Sequence, residues 1–525
     1  MNSNNKFTFI DLFSGIGGFR MALNSIGGEC LNFSEINNDA INTYCTNFSE
    51  GLESNLGDIT KIKDIPAHDL LTGGVPCQSW SIAGRNLGFD DDRGQLWNDT
   101  IYLLNKSKPK VFVFENVKGL VDPRNKVALT YILQRIKEAG YFANYYVINS
   151  FDYGVPQNRL RVYIIGFREE EYALKFSLPK PIQNKIRLGN ILTDFVASPI
   201  EKKENLEKDL FGEVVKPRNM SLSNSNGFND YFLFNDLRNG HSTIHSWDIL
   251  DTTERQKEIC YLLLKNRRKS AYGNLDGNPL SYKHFKDLDQ SINKEELDEL
   301  VSLEIFKKEG YSFLINEYQE NDISEVEKSV LKCNINNILS VEYLKINRDL
   351  KLKKISISKI LKTLQEKNII VSEEIRYDFK NTKISTGLYG VNRIFLPTSN
   401  IFPTLVASDT NDYITTKEIN AKNETEYREK FLKEIYKTQE FRRITKKEAC
   451  LIQGFPEDYL LPENRARWMK LIGNSVSVPV IEMLGKAIIE TGVFRVEEKL
   501  VLKTTQISNL KAFNSTQNLL VKISD

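Results

Sequence analysis

Histidine is scarce in this 525-residue chain, with four in all, and the six cysteines (Cys30, Cys45, Cys77, Cys260, Cys333, Cys450) are scattered singly. No Cys-x-x-Cys pair exists, so neither a metal site nor a disulfide framework is expected. The ordinary role of a lone cysteine is that of a small buried hydrophobe, which leaves one or two at most for chemistry. No run approaches the roughly 20 apolar residues that a membrane helix needs. The opening MNSNNKFTFI lacks the pattern of a signal peptide, so no membrane association and a cytoplasmic location are expected. Nor does one sign of charge dominate: 71 basic against 69 acidic residues leave a net +2. That balance neither demands nor excludes a nucleic-acid partner, and local distribution has to decide. What is present is apolar material, 41% of the chain against 27% charged, which is the composition of a globular protein and excludes wholesale disorder. At about 100–200 residues per domain, two or three domains are expected.

The first third alternates strand and helix signals. Strands are predicted at residues 7–13, 30–33, 69–72, 110–114, 141–148 and 161–167, and helices at 19–26, from Asp39 onward, and at 127–139. This order predicts an α/β fold, a mostly parallel sheet with helices on both faces, its last two strands an antiparallel hairpin at the edge. From about Ile182 to Tyr436 the composition turns to Asn, Lys, Glu and Ser with Gly/Pro punctuation. The apolar, Gly/Pro-marked style then returns. The expected division is a first domain over 1–181, a second over 182–436, a return of 437–494 to the first, and a polar tail over 495–525. No internal repeat is visible.

Four stretches carry chemistry. Asp11-Leu-Phe-Ser-Gly15-Ile-Gly17-Gly18 follows a predicted strand and opens a helix; its glycines allow close backbone approach, and the helix offers N–H groups. Glu35 follows some 20 residues later, where a carboxylate grips ribose hydroxyls. The pattern suits a nucleoside-bearing cofactor but is not the full dinucleotide fingerprint, and a tight turn without a ligand is the alternative. Cys77, in Gly73-Gly74-Val75-Pro76-Cys77-Gln78-Ser79, stands in a loop after a short strand rather than among aliphatics. It is a candidate nucleophile if its surroundings favour the thiolate, and a structural cysteine otherwise. Glu115 ends the apolar strand, where a carboxylate is unfavourable unless partnered or used; a cap or ion pair is the plainer reading. Arg159 and Arg161 alternate onto one face of the last strand, placed for a phosphate or the Cys77–Glu115 site, or for nothing more than a solvated edge.

Together these stretches resemble the DNA (cytosine-5) methyltransferases. The motifs run in that family's order: Asp11 to Phe19, Gly57-Asp58-Ile59, Pro76-Cys77-Gln78, Asp92-Arg93-Gly94-Gln95-Leu96, Glu115-Asn116-Val117 and Gln157-Asn158-Arg159-Leu160-Arg161. After a long gap come Arg442-Arg443-Ile444-Thr445, Gln453-Gly454-Phe455-Pro456 and Gly473-Asn474-Ser475-Val476. The resemblance implies a Rossmann-like S-adenosylmethionine-dependent domain built from both ends of the chain, plus a large mixed α+β target-recognition domain. It implies that Cys77 attacks carbon 6 of a flipped-out cytosine, Glu115 serves ring nitrogen 3, and Arg161 with Arg159 meets the carbonyl oxygen or a phosphate. For the cofactor it implies Asp11, Phe13, Gly15, Gly17 and Gly18 in the loop, Glu35 on the ribose, and Asp58 and Ile59 at the adenine edge. Pro76, Leu96, Asn474 and Val476 complete the walls, and Ile36 stands where many relatives carry an aromatic.

The middle region is where such enzymes read DNA. Residues 345–367 hold eight basic side chains against two acidic ones, and residues 356–367 carry an amphipathic helical pattern followed by two strand-like runs, 369–371 and 375–379. A winged-helix-like segment near 327–395 is the expectation, with a solvated basic helix as the alternative. Expected DNA contacts are Gln78, Ser81, Arg93, Lys353, Lys354, Lys359 and Thr404, with residues 239–247 and 266–269 as further candidates. The expected partners are double-stranded DNA and a cognate restriction endonuclease, and the expected state is a monomer. An RNA cytosine-5 methyltransferase and a silent DNA-binding relative are the competing readings.

Overall fold

The computed structural model describes residues 6–76, 92–195, 230–319, 323–347, 349–350, 354–399 and 401–495, without the side chains of 92–94 and 354–355. Cys77, Gln78, Ser81, Lys353 and the tail beyond 495 lie outside these residues, as do the side chains of Arg93 and Lys354. The chain forms two compact units, one of 1–198, 397–410 and 444–525, the other of 199–396 and 411–443. The expected 182–436 span did not separate residues 397–410, which return to the first unit.

Aromatic and β-branched runs build the first unit's strands β1 (Phe7–Leu12), β2 (Gly28–Ser34), β3 (Leu70–Gly74), β4 (Val111–Val117), β5 (Phe142–Asn149), β6 (Gln157–Asn158) and β7 (Leu160–Phe167). Helices α1 (Gly18–Ser25), α2 (Asn38–Phe48), α3 (Asp92–Ser107), α4 (Lys126–Glu138) and α5 (Glu170–Lys175) alternate with them. The sheet order is β2-β1-β3-β4-β7-β5, parallel from β2 to β4 and antiparallel for β7 and β5. The closing hairpin therefore forms, with β7 inside the sheet and β5 at the edge. Ile10, Leu12, Leu71, Phe112, Phe114, Ile132 and Ile164 form its core. Because β1, β3 and β4 are parallel, their carboxyl ends meet along one edge, which is where open α/β sheets bind ligands.

The second unit contains β8 (Tyr231–Phe234), β9 (Thr243–Ile244), α6 (Ser246–Ile249), α7 (Glu254–Asn266), β10 (Leu280–Ser281), α8 (Tyr282–Leu288), α9 (Lys294–Ser302), β11 (Phe306–Ile315), α10 (Glu325–Leu331), β12 (Ile338–Ser340), α11 (Val341–Ile346), α12 (Lys354–Glu366), β13 (Ile370–Phe379) and β14 (Arg393–Phe395). The chain enters the first unit for β15 (Phe402–Pro403), returns for β16 (Asp412–Ile414) and α13 (Glu424–Lys430), and closes in the first unit with α14 (Lys446–Gln453), α15 (Arg465–Asn474) and α16 (Val478–Glu490). Two four-stranded sheets result, β10-β13-β11-β12 and β16-β14-β8-β9.

Three sequence expectations change here. The runs 369–371 and 375–379 form one strand, β13, because β11 pairs along its whole length across register shifts at Gly310–Phe313. The order helix, strand, helix, helix, strand occurs twice, as α7-β10-α8-α9-β11 and α10-β12-α11-α12-β13, although no repeat was visible in the letters. Residues Arg465–Glu490 have the length and hydropathy of a membrane span and were not singled out; they form two helices mostly buried in the fold.

Candidate active site

The glycine loop is shaped by its backbone. Phe13, Gly15 and Gly17 all have positive φ, at 52°, 54° and 86°, which glycine adopts freely and phenylalanine does not. A side-chain carbon at Gly18 would lie 2.7 Å from Val476 Cγ2 and 2.9 Å from Ser475 Oγ. The last motif is thus packed on the first, and glycine there is a requirement of close approach. Tyr459 adds a hydrogen bond from its hydroxyl to the Ile16 carbonyl.

Glu35 stands at the end of β2 with both carboxylate oxygens engaged. One accepts the Gly15 N–H at 3.0 Å, and the other accepts those of Ile36 and Asn37 at 2.8 Å each. Asn55, not singled out from sequence, locks this corner: its Oδ1 accepts from the Glu35 and Gly57 N–H groups, and its Nδ2 donates to the Glu35 carbonyl. Asn-x-Gly was the available turn signal. Asp58 caps the next turn, accepting from the Thr60 N–H and hydroxyl, which hold its carboxyl below the usual range. Ile59 packs into the core. Ile36 is exposed, Asn474 is exposed, Val476 is buried, and Pro76 and Leu96 are half-buried.

Asp11 is fully buried behind the loop. Its Oδ1 accepts from the Thr72 hydroxyl at 3.1 Å, while Oδ2 has no partner among the described residues. Burial pushes the carboxyl up to about 7, against the Thr72 hydrogen bond and the Arg20 charge. Raised above its unfolded-chain value, this group stabilises the fold fully below about pH 4, and the contribution is lost as pH rises through about 7. Asp11→Asn should therefore gain stability relative to the parent, by on the order of 3 kcal/mol, as pH is raised from 4 to 8. Thermal unfolding profiles of the two proteins that run parallel over that range would contradict this.

Glu115 occupies the carboxyl end of β4, opposite Gly74 of β3. A carbon placed on Gly74 would be 3.8 Å from Glu115 Oε2 and 3.9 Å from the Phe13 carbonyl. The carboxylate and the glycine loop therefore border one space, three residues ahead of Cys77. Glu115 Oε1 accepts from Arg161 Nε at 2.9 Å, both side chains being largely buried. Burial raises the Glu115 carboxyl above its ordinary range, with Arg161 and Arg159 opposing. Asn116, quoted in the Glu115 motif but given no role of its own, donates from Nδ2 to the Val75 carbonyl at 3.0 Å, which fixes the backbone two residues before Cys77.

Arg159 departs from its expected role. It is only 1% exposed, and its guanidinium donates to the carbonyls of Leu405 at 3.0 Å, Gly473 at 3.0 Å and Ser475 at 2.6 Å. A planar fork committed to main chain does not reach a base or phosphate, so Arg159 is a positioning residue. Gln157 Nε2 donates to the Ile452 carbonyl and to Gln453 Oε1, and Gln453 Nε2 donates to the Ser475 carbonyl. Thr404 donates its hydroxyl to the Asn158 carbonyl beside the β6–β15 pairing. Four motifs distant in sequence thereby converge on one buried network.

Two candidate DNA stretches of the second unit depart from expectation in part, since Asn239, Gly240, Arg268 and Lys269 are exposed and the remainder is mostly buried. Ser242 to Trp247 are buried, with His245 Nε2 on the Arg238 carbonyl at 2.6 Å and its ring stacked on Trp247. Asn266 and Arg267 are buried, and Arg267 grips Asp378 at 2.9 and 3.1 Å. Polar residues were read there as surface; a core polar group that finds a partner inside the fold has the same letters.

A family described as C-5 cytosine-specific DNA methylase matches residues 7–333 and 294–490. The chain belongs to that family. This methylase is 40% identical over 486 residues to the Type II methyltransferase M.HgiBI of Herpetosiphon aurantiacus, covering 92% of this chain and 97% of that one. It is 30% identical over 522 residues to M.NlaIV of Neisseria lactamica, covering 93% and 99%. With M.HpaII of Haemophilus parainfluenzae the match is 38% over 233 residues, 43% of this methylase and 63% of the relative. Its activity is DNA (cytosine-5) methyl transfer, and neither the RNA-modifying nor the silent reading is retained.

Proposed function

We propose that the enzyme methylates cytosine within a specific duplex sequence through a covalent bond from Cys77, as the protective half of a Type II restriction-modification pair. The observation that carries this reading is the Glu115–Arg161 pair at 2.9 Å, bordering the glycine loop at the strand ends from which the Cys77 loop departs. Burial that raises the Glu115 carboxyl suits a group that shares a proton with ring nitrogen 3.

The cytosine must first leave the stack, at a cost of a few kcal/mol recovered in the pocket. The Cys77 thiolate then adds to carbon 6, and the ring's π electrons move toward carbon 5 and nitrogen 3. Glu115 steadies nitrogen 3, and Arg161 holds Glu115 in place while facing the carbonyl oxygen. After alkylation, solvent takes the carbon-5 proton, the electron pair left behind becomes the carbon 5–carbon 6 double bond, and the carbon 6–sulfur bond breaks to release the Cys77 thiolate. The addition divides one high barrier into two lower ones.

S-adenosylmethionine, when bound, supplies an electrophilic methyl group. The residues present fit it: Glu35 is held for a ribose diol, Ser14 Oγ is buried at the loop without a hydrogen-bond partner among the described residues, and exposed Ile36 is placed to cover an aromatic ring. Phe13, Asp58 and Val476 bound the same corner. Gln78, Ser81 and Arg93 would contact DNA around Cys77, and Lys353, Lys354, Lys359 and Thr404 would be further DNA contacts. A cognate endonuclease, a cytosolic location and a monomeric state complete the reading.

The test is DNA synthesised with 5-fluorocytosine, incubated with the enzyme and S-adenosylmethionine. Fluorine cannot leave as a proton does, so a denaturant-resistant adduct should form and map to the peptide carrying Cys77. Methylation of ordinary DNA without such an adduct would falsify covalent catalysis.

A further inference from the structure

The second unit's repeated element order is matched in register. Strands β11 and β13 pair antiparallel from Phe306↔Phe379 to Ile315↔Ile370. On one side β10 joins β13 through Leu280↔Tyr377 and Ser281↔Arg376. On the other side β12 joins β11 through Leu339↔Phe313 and Ser340↔Ser312. Tyr377 and Phe313 are each the eighth residue of their strand, so the two Leu-Ser dipeptides occupy equivalent positions. Each serine then caps the following helix, Ser281 accepting from the His284 N–H and Ser340 from that of Tyr343.

The third helices agree as closely. Buried Leu297, Leu300, Ile305 and Phe306 have the spacing of buried Leu361, Leu364, Ile369 and Ile370. Each helix stops at a left-handed residue, Glu304 at φ 59° and Asn368 at φ 57°. The next N–H returns to the helix in both cases, Ile305 to Leu300 at 3.1 Å and Ile369 to Leu364 at 2.9 Å. Each half also has its own core, around Leu263, Phe285 and Leu300 in one and around Val330, Leu344 and Leu364 in the other. Every half is thus helix, strand, helix, helix, strand, and takes its remaining strand from its twin. That is the winged-helix plan, whose third helix enters a DNA groove.

The two third helices differ in charge. Residues 282–304 carry three basic and seven acidic side chains, whereas residues 341–368 carry eight basic and three acidic ones. On α9, Glu296 pairs with Arg255 at 3.0 Å and Asp298 with Lys308 at 2.6 Å, while Glu295 and Glu299 are exposed. On α12, Lys359 and Lys362 are exposed, with Glu366 3.8 Å from Lys362 as a loose pair. Duplex DNA presents one phosphate charge per roughly 1.7 Å, so a carboxylate-rich helix is repelled and a lysine-rich one is attracted.

We propose that residues 254–379 of the second unit are a pair of winged-helix half-modules sharing one ribbon, and that only the α12 half docks on duplex DNA. This rests on the DNA-methylating reading above and deepens it: the pair supplies one basic docking helix and one that is excluded from the duplex by charge. Backbone docking of this kind needs no target sequence, so a labelled duplex of mixed sequence is a sufficient probe.

The full-length enzyme is compared with Lys359→Glu/Lys362→Glu in α12 and with Lys294→Glu in α9, each checked for wild-type thermal unfolding. The α12 variant should bind the duplex about tenfold or more weakly, with a salt dependence shallower by about two in log–log slope. The milder Lys359→Gln/Lys362→Gln should fall between. Lys294→Glu should leave affinity and slope unchanged. An unchanged slope in the α12 variant, or an equal loss from Lys294→Glu, overturns the proposal. If the wild type traps 5-fluorocytosine DNA while the α12 variant binds normally, only the docking inference fails; a wild type that neither binds nor traps any duplex removes the methylating reading beneath it.

Discussion

Cys77→Ala is expected to lose methyl transfer by a factor on the order of 10⁴ or more, while retaining S-adenosylmethionine and DNA. The argument is electronic. Without a nucleophile at carbon 6 the ring never becomes electron-rich at carbon 5, and neither Glu115 nor the cofactor pocket can substitute for that. Binding should survive because the groups that shape the pocket, Glu35, Asn55 and the Gly18–Val476 packing, do not depend on the thiol. Steady-state turnover with tritiated cofactor, beside equilibrium binding of the same variant, separates the two. Residual turnover within tenfold of the parent would assign the nucleophile elsewhere.

Arg159→Ala should act mainly on stability. The side chain is buried and donates to three main-chain carbonyls from two segments. Removing it leaves those acceptors without their donor and opens a cavity, so a loss of about 3–5 kcal/mol is expected. The unfolding midpoint should fall on the order of 10 °C. Arg159→Lys should recover little, because one ammonium on a flexible stem cannot satisfy a fixed three-way fork. Arg161→Ala differs in kind, since it frees Glu115 from its partner; it should lower kcat with a much smaller change in midpoint. An Arg159→Ala protein of parental stability with depressed kcat would restore Arg159 to the chemistry.

The contrast between these two arginines shows where sequence reading stops. Alternation placed them on one face, and they do lie on neighbouring positions of one segment. Which one meets the carboxylate and which one is consumed by main chain depends on where residues 405, 473 and 475 arrive. Nothing local to the Gln157–Arg161 stretch encodes that arrival. Residues 242–247 and Arg267 failed for the same reason: a polar letter carries no sign of whether its partner is water or a buried group.

The main strands of the first unit were legible because burial on both faces of a parallel sheet forces continuous apolar runs, and 7–13 or 110–114 admit few other uses; of its helices α1, α2 and α4 were read, whereas α3, α5, α14, α15 and α16 were not. The glycine loop, Glu35 and Glu115 were legible because positive φ, close approach and a carboxylate at a strand end each restrict residue type. The doubling of the second unit was not. Its two halves share a spacing of buried positions and two left-handed residues, and such constraints are met by Leu, Ile or Phe and by Glu or Asn alike. By itself the sequence determined the class of chemistry, because chemistry tolerates few substitutes for a thiol, a carboxylate and a glycine turn. Only the tertiary structure decided which polar groups face the substrate, which are locked inside, and that one ribbon serves two halves, because those outcomes depend on long-range partners that packing selects after local preferences are spent.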